Sequence, residues 1–248
     1  MPATPTSRST GSPVALIRAD FLTRPLIPDL PARGKGGQLA GSSAEVFLQE
    51  ASLPADTQAQ SELVARWHRR KTEIFTAMVR AGAIAPRPGV RRIAHAAAEA
   101  GWQLAVASTS AADSVRAVLE AAAGAALASR FLIFAGDVVP RKKPAPDIYL
   151  LALRELRATA ADAVVIEDSR NGLLAAAGAG VGCIITLSAY TQHEDMTGAA
   201  LVVSSLGDPG SLDVSMLANR TGRPVRGYVD LPNIAAILGA SVPSARQA

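Results

Sequence analysis

The chain has 248 residues, a formal net charge of +4 and 49% hydrophobic residues, with aromatics only 4% of the total. That length holds one large domain or two modest ones, with a core built mainly from Ala, Leu and Val. The single cysteine, Cys183, excludes an intrachain disulfide framework and fits a reducing, cytoplasmic setting; no apolar run approaches the ~20 residues of a membrane helix, and scattered Lys and Arg with few aromatics argue against nucleic acid.

Residues 1–13 (MPATPTSRSTGSP) are rich in Ser, Thr and Pro and contain no acid. They read as a disordered leader, with a transit peptide as the alternative. Residues 14–19 (VALIRA) read as a short buried strand. Residues 20–42 carry Pro25, Pro28, Pro31 and four glycines, the composition of a loop. Ser42-Ser43-Ala44-Glu45 has capping-box spacing, which predicts a helix through Glu50. Leu63, Trp67, Ile74, Phe75 and Met78 recur at helical spacing and predict a longer helix over Gln58–Ala81. Arg87-Pro88-Gly89 then breaks the chain, and the rhythm changes.

From there helices are expected over Val90–Ala100, Ser110–Ala121, Pro146–Arg157 and Gly172–Ala179. Strands are expected over Gln103–Ala107, Phe131–Ala135, Ala163–Ile166, Cys183–Leu187 and Leu201–Val203. Such alternation predicts an α/β fold, a parallel sheet with helices on both faces. Residues 43–86 interrupt it with helix alone, which marks an inserted, truncated helical cap. The core is then 14–42 plus 87–206. The tail, 207–248, reads as loosely structured except for Tyr228–Leu238, which can pack back on the core.

Open parallel sheets bind ligands beyond the carboxyl ends of their strands. Three polar clusters fall at such ends: Ser108-Thr109-Ser110, Arg141 to Asp147, and Glu167-Asp168. Each also has a structural use. Ser110 could N-cap the helix after it, and Asp168 or Ser169 the helix after theirs. Capping needs one acceptor, however, and Glu167 is left over at the end of an apolar strand. A buried carboxylate without a partner is costly, so adjacent acids there point to a bound cation. Lys143 lies just before Pro144 and Pro146, which mark a helix start, and a cation there opposes the helix dipole. A solvated lysine tolerates that position; a lysine holding an anion against the terminus gains from it.

The segments LAVASTS, AGDVVPRKKPAPDIYLLALREL and VVIEDSRNGLLAAAGAG resemble motifs two, three and four of the haloacid dehalogenase superfamily. They resemble most its CbbY-type sugar-phosphate phosphatases and the related phosphoglucomutases. The likeness runs from about Ser61 to Leu206, with a fainter echo in GYVDLPNIAAIL. It implies a Rossmann-like core with a helical cap, Mg2+ as cofactor, and a small sugar phosphate or bisphosphate, such as a pentulose bisphosphate, as substrate. By the same resemblance Ser108 hydrogen-bonds the transferring phosphoryl group and Lys143 neutralises its charge. Glu167 and Asp168 hold the magnesium. Lys71 reaches from the cap into the substrate, and Ser110 contacts a second phosphate. The plain alternative for Arg66, Arg69, Arg70 and Lys71 is a solvated helix face. No nucleic-acid or membrane partner is expected, and the chain is expected to be a monomer.

The N-terminal portion departs from the family pattern. An Asp-x-Asp-Gly-Thr loop, whose first aspartate is the nucleophile and whose second is the general acid, should follow the first strand. Here VALI runs into Arg18-Ala19-Asp20-Phe21-Leu22-Thr23, with Asp20 the single acid and Leu22 where its partner would stand. Gln38 replaces the lysine of the Gly-Gly-Lys pattern. Three readings stay open: a lost nucleophile in a binding or regulatory protein, Asp20 acting alone, or a wrong start or frameshift in the recorded sequence. The expectation is therefore a phosphatase impaired as written, with a catalytically inactive sugar-phosphate-binding protein as the alternative. Other enzyme classes lack their motifs: there is no G-x-G-x-x-G order, no P-loop spacing around Lys35 and no G-x-S-x-G elbow.

Overall fold

The computed structural model describes residues 12–18, 56–211 and 214–239. Asp20, Gln38, the capping box at Ser42–Glu45 with its helix through Glu50, and the leader through residue 11 lie outside the described residues. Short apolar runs form a seven-stranded sheet: β1 (Val14–Ile17), β2 (Gln103–Ser108), β3 (Phe131–Ala135), β4 (Ala163–Glu167), β5 (Gly182–Thr186), β6 (Leu201–Val203) and β7 (Met216–Asn219). Their order is β3-β2-β1-β4-β5-β6-β7. Every neighbouring pair is parallel except β6 and β7.

Side chains of a strand alternate between faces, so a strand that is apolar throughout needs cover on both. Ala15, Ile17, Leu104, Val106, Val164 and Ile166 join one hydrophobic cluster. Val14, Leu16, Ala105, Ala107, Ala163 and Val165 join the other. The first face is covered by α2 (Val90–Glu99), α3 (Ala112–Ala123), the short α4 (Ala125–Ala128) and α7 (Leu231–Ala235). The second is covered by α5 (Asp147–Glu155) and α6 (Arg170–Gly178). This is a Rossmann-like α/β architecture.

The long α1 (Thr57–Arg80) starts at Asp56, whose carboxylate accepts the Ala59 N–H. Its last turns are anchored on the core: Val79 is buried, and Phe75 and Met78 pack against the first cluster. The link from α1 to the core turns at Gly89, with φ of 82°. A Cβ there would also collide with Leu206 and Gly207, so glycine is required on both counts.

Several boundaries differ from the sequence expectation. Helix α3 begins at Ala112 rather than Ser110, with Ala111 at the cap and no side-chain capping bond. Helix α6 begins at Arg170, where Ser169 is the cap and accepts the Gly172 N–H. Ser169 thus takes the capping role and Asp168 does not. The tail holds a strand that its sequence did not announce. Edge strand β7 leaves Met216 and Leu217 half or more exposed, so no buried alternation marks it. The tail is tied down by Arg92, which donates to the carbonyls of Leu206, Gly207 and Val229 and lies over the Tyr228 ring.

Candidate functional site

The chain crosses from β1 to β2 and β3 on one side, then back to β4, β5 and β6 on the other. The reversal lies beside β1, and the crevice at such a switch point is the ligand position of open α/β sheets. Register decides which residues arrive there. Ile17 is level with Val106 of β2 and with Ile166 of β4. The next residues along each strand direction, Arg18, Ala107 and Glu167, are therefore neighbours, with Ser108 and Asp168 one step further.

Glu167 is fully buried. Its Oε1 accepts from Lys143 Nζ at 2.6 Å and from the Tyr149 hydroxyl at 2.9 Å. Its Oε2 accepts the Asp168 N–H at 3.0 Å and the Ser169 hydroxyl at 3.3 Å, and lies 3.4 Å from Arg18 Nη1. Burial pushes this carboxyl up, but the charges of Lys143 and Arg18 and these hydrogen bonds outweigh it and hold it at about 2. A group lowered from an ordinary 4.5 contributes stability above pH 4.5, which is lost as pH falls toward 2. Urea titrations across that window are expected to show falling stability, and Glu167→Gln is expected to flatten the slope. An unchanged slope in the variant would remove Glu167 as its source.

The carboxyl group has room only because residue 172 has no side chain. A Cβ on Gly172 would fall inside the Glu167 carboxylate. Gly172→Ala is therefore expected to destabilise the fold by at least the ~1–3 kcal/mol of a typical overpacked core. Equal midpoints in urea for the two proteins would contradict this packing.

Lys143 reaches the same carboxylate from the loop after β3. Its side chain is 6% exposed, and its ammonium donates to Glu167 Oε1, to the Tyr149 hydroxyl at 2.9 Å and to Ala107 O at 3.1 Å. The anion it holds is the carboxylate at the end of β4. Helix α5 is served by Asp147, whose carboxylate takes a bidentate bond from Arg141 in its first turn. Ser108 closes the buried end of β2, 1% exposed, and its Oγ accepts the Ser110 N–H at 3.1 Å.

Asp168 stands at the mouth of the site, 14% exposed, with its Oδ1 3.1 Å from Arg18 Nη1. The same guanidinium donates to Ser169 Oγ at 2.6 Å. Magnesium demands about six oxygen ligands at ~2.0–2.1 Å in near-octahedral geometry. Both Glu167 oxygens are committed to protein donors, and a guanidinium stands against Asp168. In this arrangement the described residues do not fit a magnesium ion. The cost of burying acids at the strand end is met by Lys143 and Arg18.

The fold thus brings Ser108, Lys143, Glu167 and Asp168 together, with Ser110 alongside. Lys71 does not join them: it is exposed on α1 and makes no ion pair with the cluster among the described residues. Asp20 lies outside the described residues. Sequence reading overlooked Tyr149 and Arg18, and gave Ser169 a capping role without its contacts to Arg18 and Glu167. Tyr149 looks like one more apolar residue of α5, yet it is fully buried and needs a hydroxyl partner. Arg18 directly follows β1, which ends at Ile17, and so stands at a carboxyl end of the sheet.

Comparison with known proteins agrees with this fold. Residues 18–180 match the family model described as haloacid dehalogenase-like hydrolase. Protein CbbY of Cereibacter sphaeroides is 46% identical over 150 residues, 60% of this chain and 65% of that protein. A CBBY-like protein of Arabidopsis thaliana is 42% identical over 156 residues, 63% of this chain and 49% of that protein. The matched region therefore spans about half to two thirds of the length of these relatives. The crystal structure of CbbY from Rhodobacter sphaeroides in complex with phosphate superposes with a TM-score of 0.61 at 32% identity, covering 80% of this chain and 96% of that one. A mutant of that protein in complex with xylulose-(1,5)bisphosphate gives the same TM-score at 31% identity, with the same coverage.

Proposed function

The chain belongs to the haloacid dehalogenase-like hydrolase family, and from that premise we propose that it is a phosphatase-type protein that binds small sugar phosphates or bisphosphates and hydrolyses them slowly. The carrying observation is the convergence of the Ser108 hydroxyl, the Lys143 ammonium and the Glu167-Asp168 pair at one crevice of the sheet. The related CbbY structures, with phosphate and with xylulose-(1,5)bisphosphate, support this ligand class.

In this proposal Ser108 turns its hydroxyl to donate to a phosphoryl oxygen. Lys143 has three N–H donors and three partners. A phosphoryl oxygen would replace Ala107 O, the longest of the three, while the bond to Glu167 keeps the ammonium in place. Ser110 and Lys71 are assigned to a second phosphate. Magnesium belongs to the proposal only in a form where Arg18 has left Asp168, and no step here runs through it. Turnover is slow because Asp20 is the single acid of Arg18–Thr23, directly after VALI, and cannot be both nucleophile and general acid. Arg18 at the end of β1 favours a second reading, a sugar-phosphate-binding protein without turnover.

Calorimetric titration with sugar monophosphates and a pentulose bisphosphate tests the ligand class. Ser108→Ala is expected to weaken every phosphate ester about tenfold or more, the loss of one hydrogen bond to a charged group. Lys71→Ala is expected to weaken the bisphosphate alone. Binding that ignores Ser108 would defeat the site assignment, and a bisphosphate that ignores Lys71 would defeat the role of α1.

A further inference from the structure

Arg18 is the first residue beyond β1, and its backbone N–H still donates to Ile166 O of β4 at 3.2 Å. That bond aims its side chain along the crevice between β1 and β4. The guanidinium meets Asp168 Oδ1 at 3.1 Å, Glu167 Oε2 at 3.4 Å and Ser169 Oγ at 2.6 Å. One planar cation thus touches both adjacent acids and the cap of α6, while only 23% exposed. With Lys143 on the other oxygen of Glu167, two positive groups face two negative ones among the described residues.

Charge balance of this kind leaves no driving force for another cation. A guanidinium stays charged at any ordinary pH and, unlike a lysine, forms a fork matched to carboxylate oxygens. A divalent ion ligated by Asp168 would sit within a few ångströms of that fixed charge, where repulsion in a partly buried site is strong. It would also have to take oxygens that Arg18 now engages.

We propose that Arg18 is a tethered cation in the place a divalent ion would take between Glu167 and Asp168, so that the site is closed to magnesium while Arg18 holds it. The proposal rests on the assignment of this acid pair to a cation under the proposed function. It goes further by making metal affinity a property of the residue after β1. Ser169 is the positioning residue, since its hydroxyl accepts the 2.6 Å bond from Arg18 while its other role is to cap α6.

Calorimetric titration of Mg2+, and of Mn2+ as a second probe, into the full-length protein tests this without reference to activity. The parent chain is expected to bind either ion weakly. Arg18→Gln is expected to bind at least about tenfold tighter, since a fixed positive charge next to the ligand oxygens is gone. The gain should vanish in Arg18→Gln/Asp168→Asn, and Arg18→Lys, which keeps the charge, should stay near the parent. Circular dichroism checks each fold. If Arg18→Gln does not fold, Ser169→Ala replaces it, with a smaller gain in metal affinity expected from loosening Arg18. Equal affinity in parent and Arg18→Gln, abolished by Asp168→Asn, would overturn the role of Arg18 and leave the acid pair as a metal site. Absence of binding in every folded variant would overturn the acid-pair assignment as well.

Discussion

Replacing the segment after β1 with an Asp-x-Asp-Gly-Thr sequence and a complete cap helix is expected to raise phosphate release from a sugar phosphate by at least ~10²–10⁴-fold, the contribution of one well-placed general acid. The proposed electrostatic half of the chemistry does not depend on that segment. Ser108 and Lys143 are fixed by β2 and by the loop leading into α5, and both are buried against the strand ends. Preorganised donors of this kind stabilise phosphoryl charge without reorganising during reaction. The attacking carboxylate and the proton donor are the other half. Register places residue 18 level with Glu167, and the residue there is arginine, which is no nucleophile. Robust turnover by the present sequence, lost in Asp20→Asn, would show that a single aspartate suffices. A restored chain that binds sugar phosphates yet releases none would favour the binding protein.

The second large effect is on stability. Lys143→Met is expected to cost ~3–5 kcal/mol in urea unfolding, the range for removing one partner of a buried ion pair. The fully buried Glu167 would keep the Tyr149 hydroxyl and the Asp168 N–H but lose its nearest positive charge. Its carboxyl would then rise toward neutrality, so the loss should be smallest in acid and largest near neutral pH. Lys143→Met/Glu167→Gln should recover much of the loss, because the uncompensated charge is gone. A Lys143→Met protein as stable as its parent would mean that the contact is not the buried pair described above.

Legibility followed burial. β1, β2, β4 and β5 are short apolar runs between helical stretches, and each lies close to where the alternation put it. β7 escaped because an edge strand with Leu217 58% exposed carries no alternating pattern. At the site, the strand-end rule found Ser108, Lys143 and the acid pair, since chemistry-bearing residues directly after apolar strands are visible in sequence. It could not supply their partners. Lys143 meets Glu167 across 24 positions and Arg18 meets Ser169 across 151, contacts that exist only once the strand register is set. The adjacent acids read from sequence as a metal pair, and the sequence alone does not show that Lys143 and Arg18 stand against them.

The ligand assignment of the crevice is tested most directly by a crystal structure of this chain grown with a pentulose bisphosphate. The account predicts one phosphoryl group within hydrogen-bonding distance of Ser108 Oγ and Lys143 Nζ, at the carboxyl ends of β2 and β4. A ligand bound elsewhere, with Lys143 still donating to Ala107 O and Ser108 untouched, would contradict it.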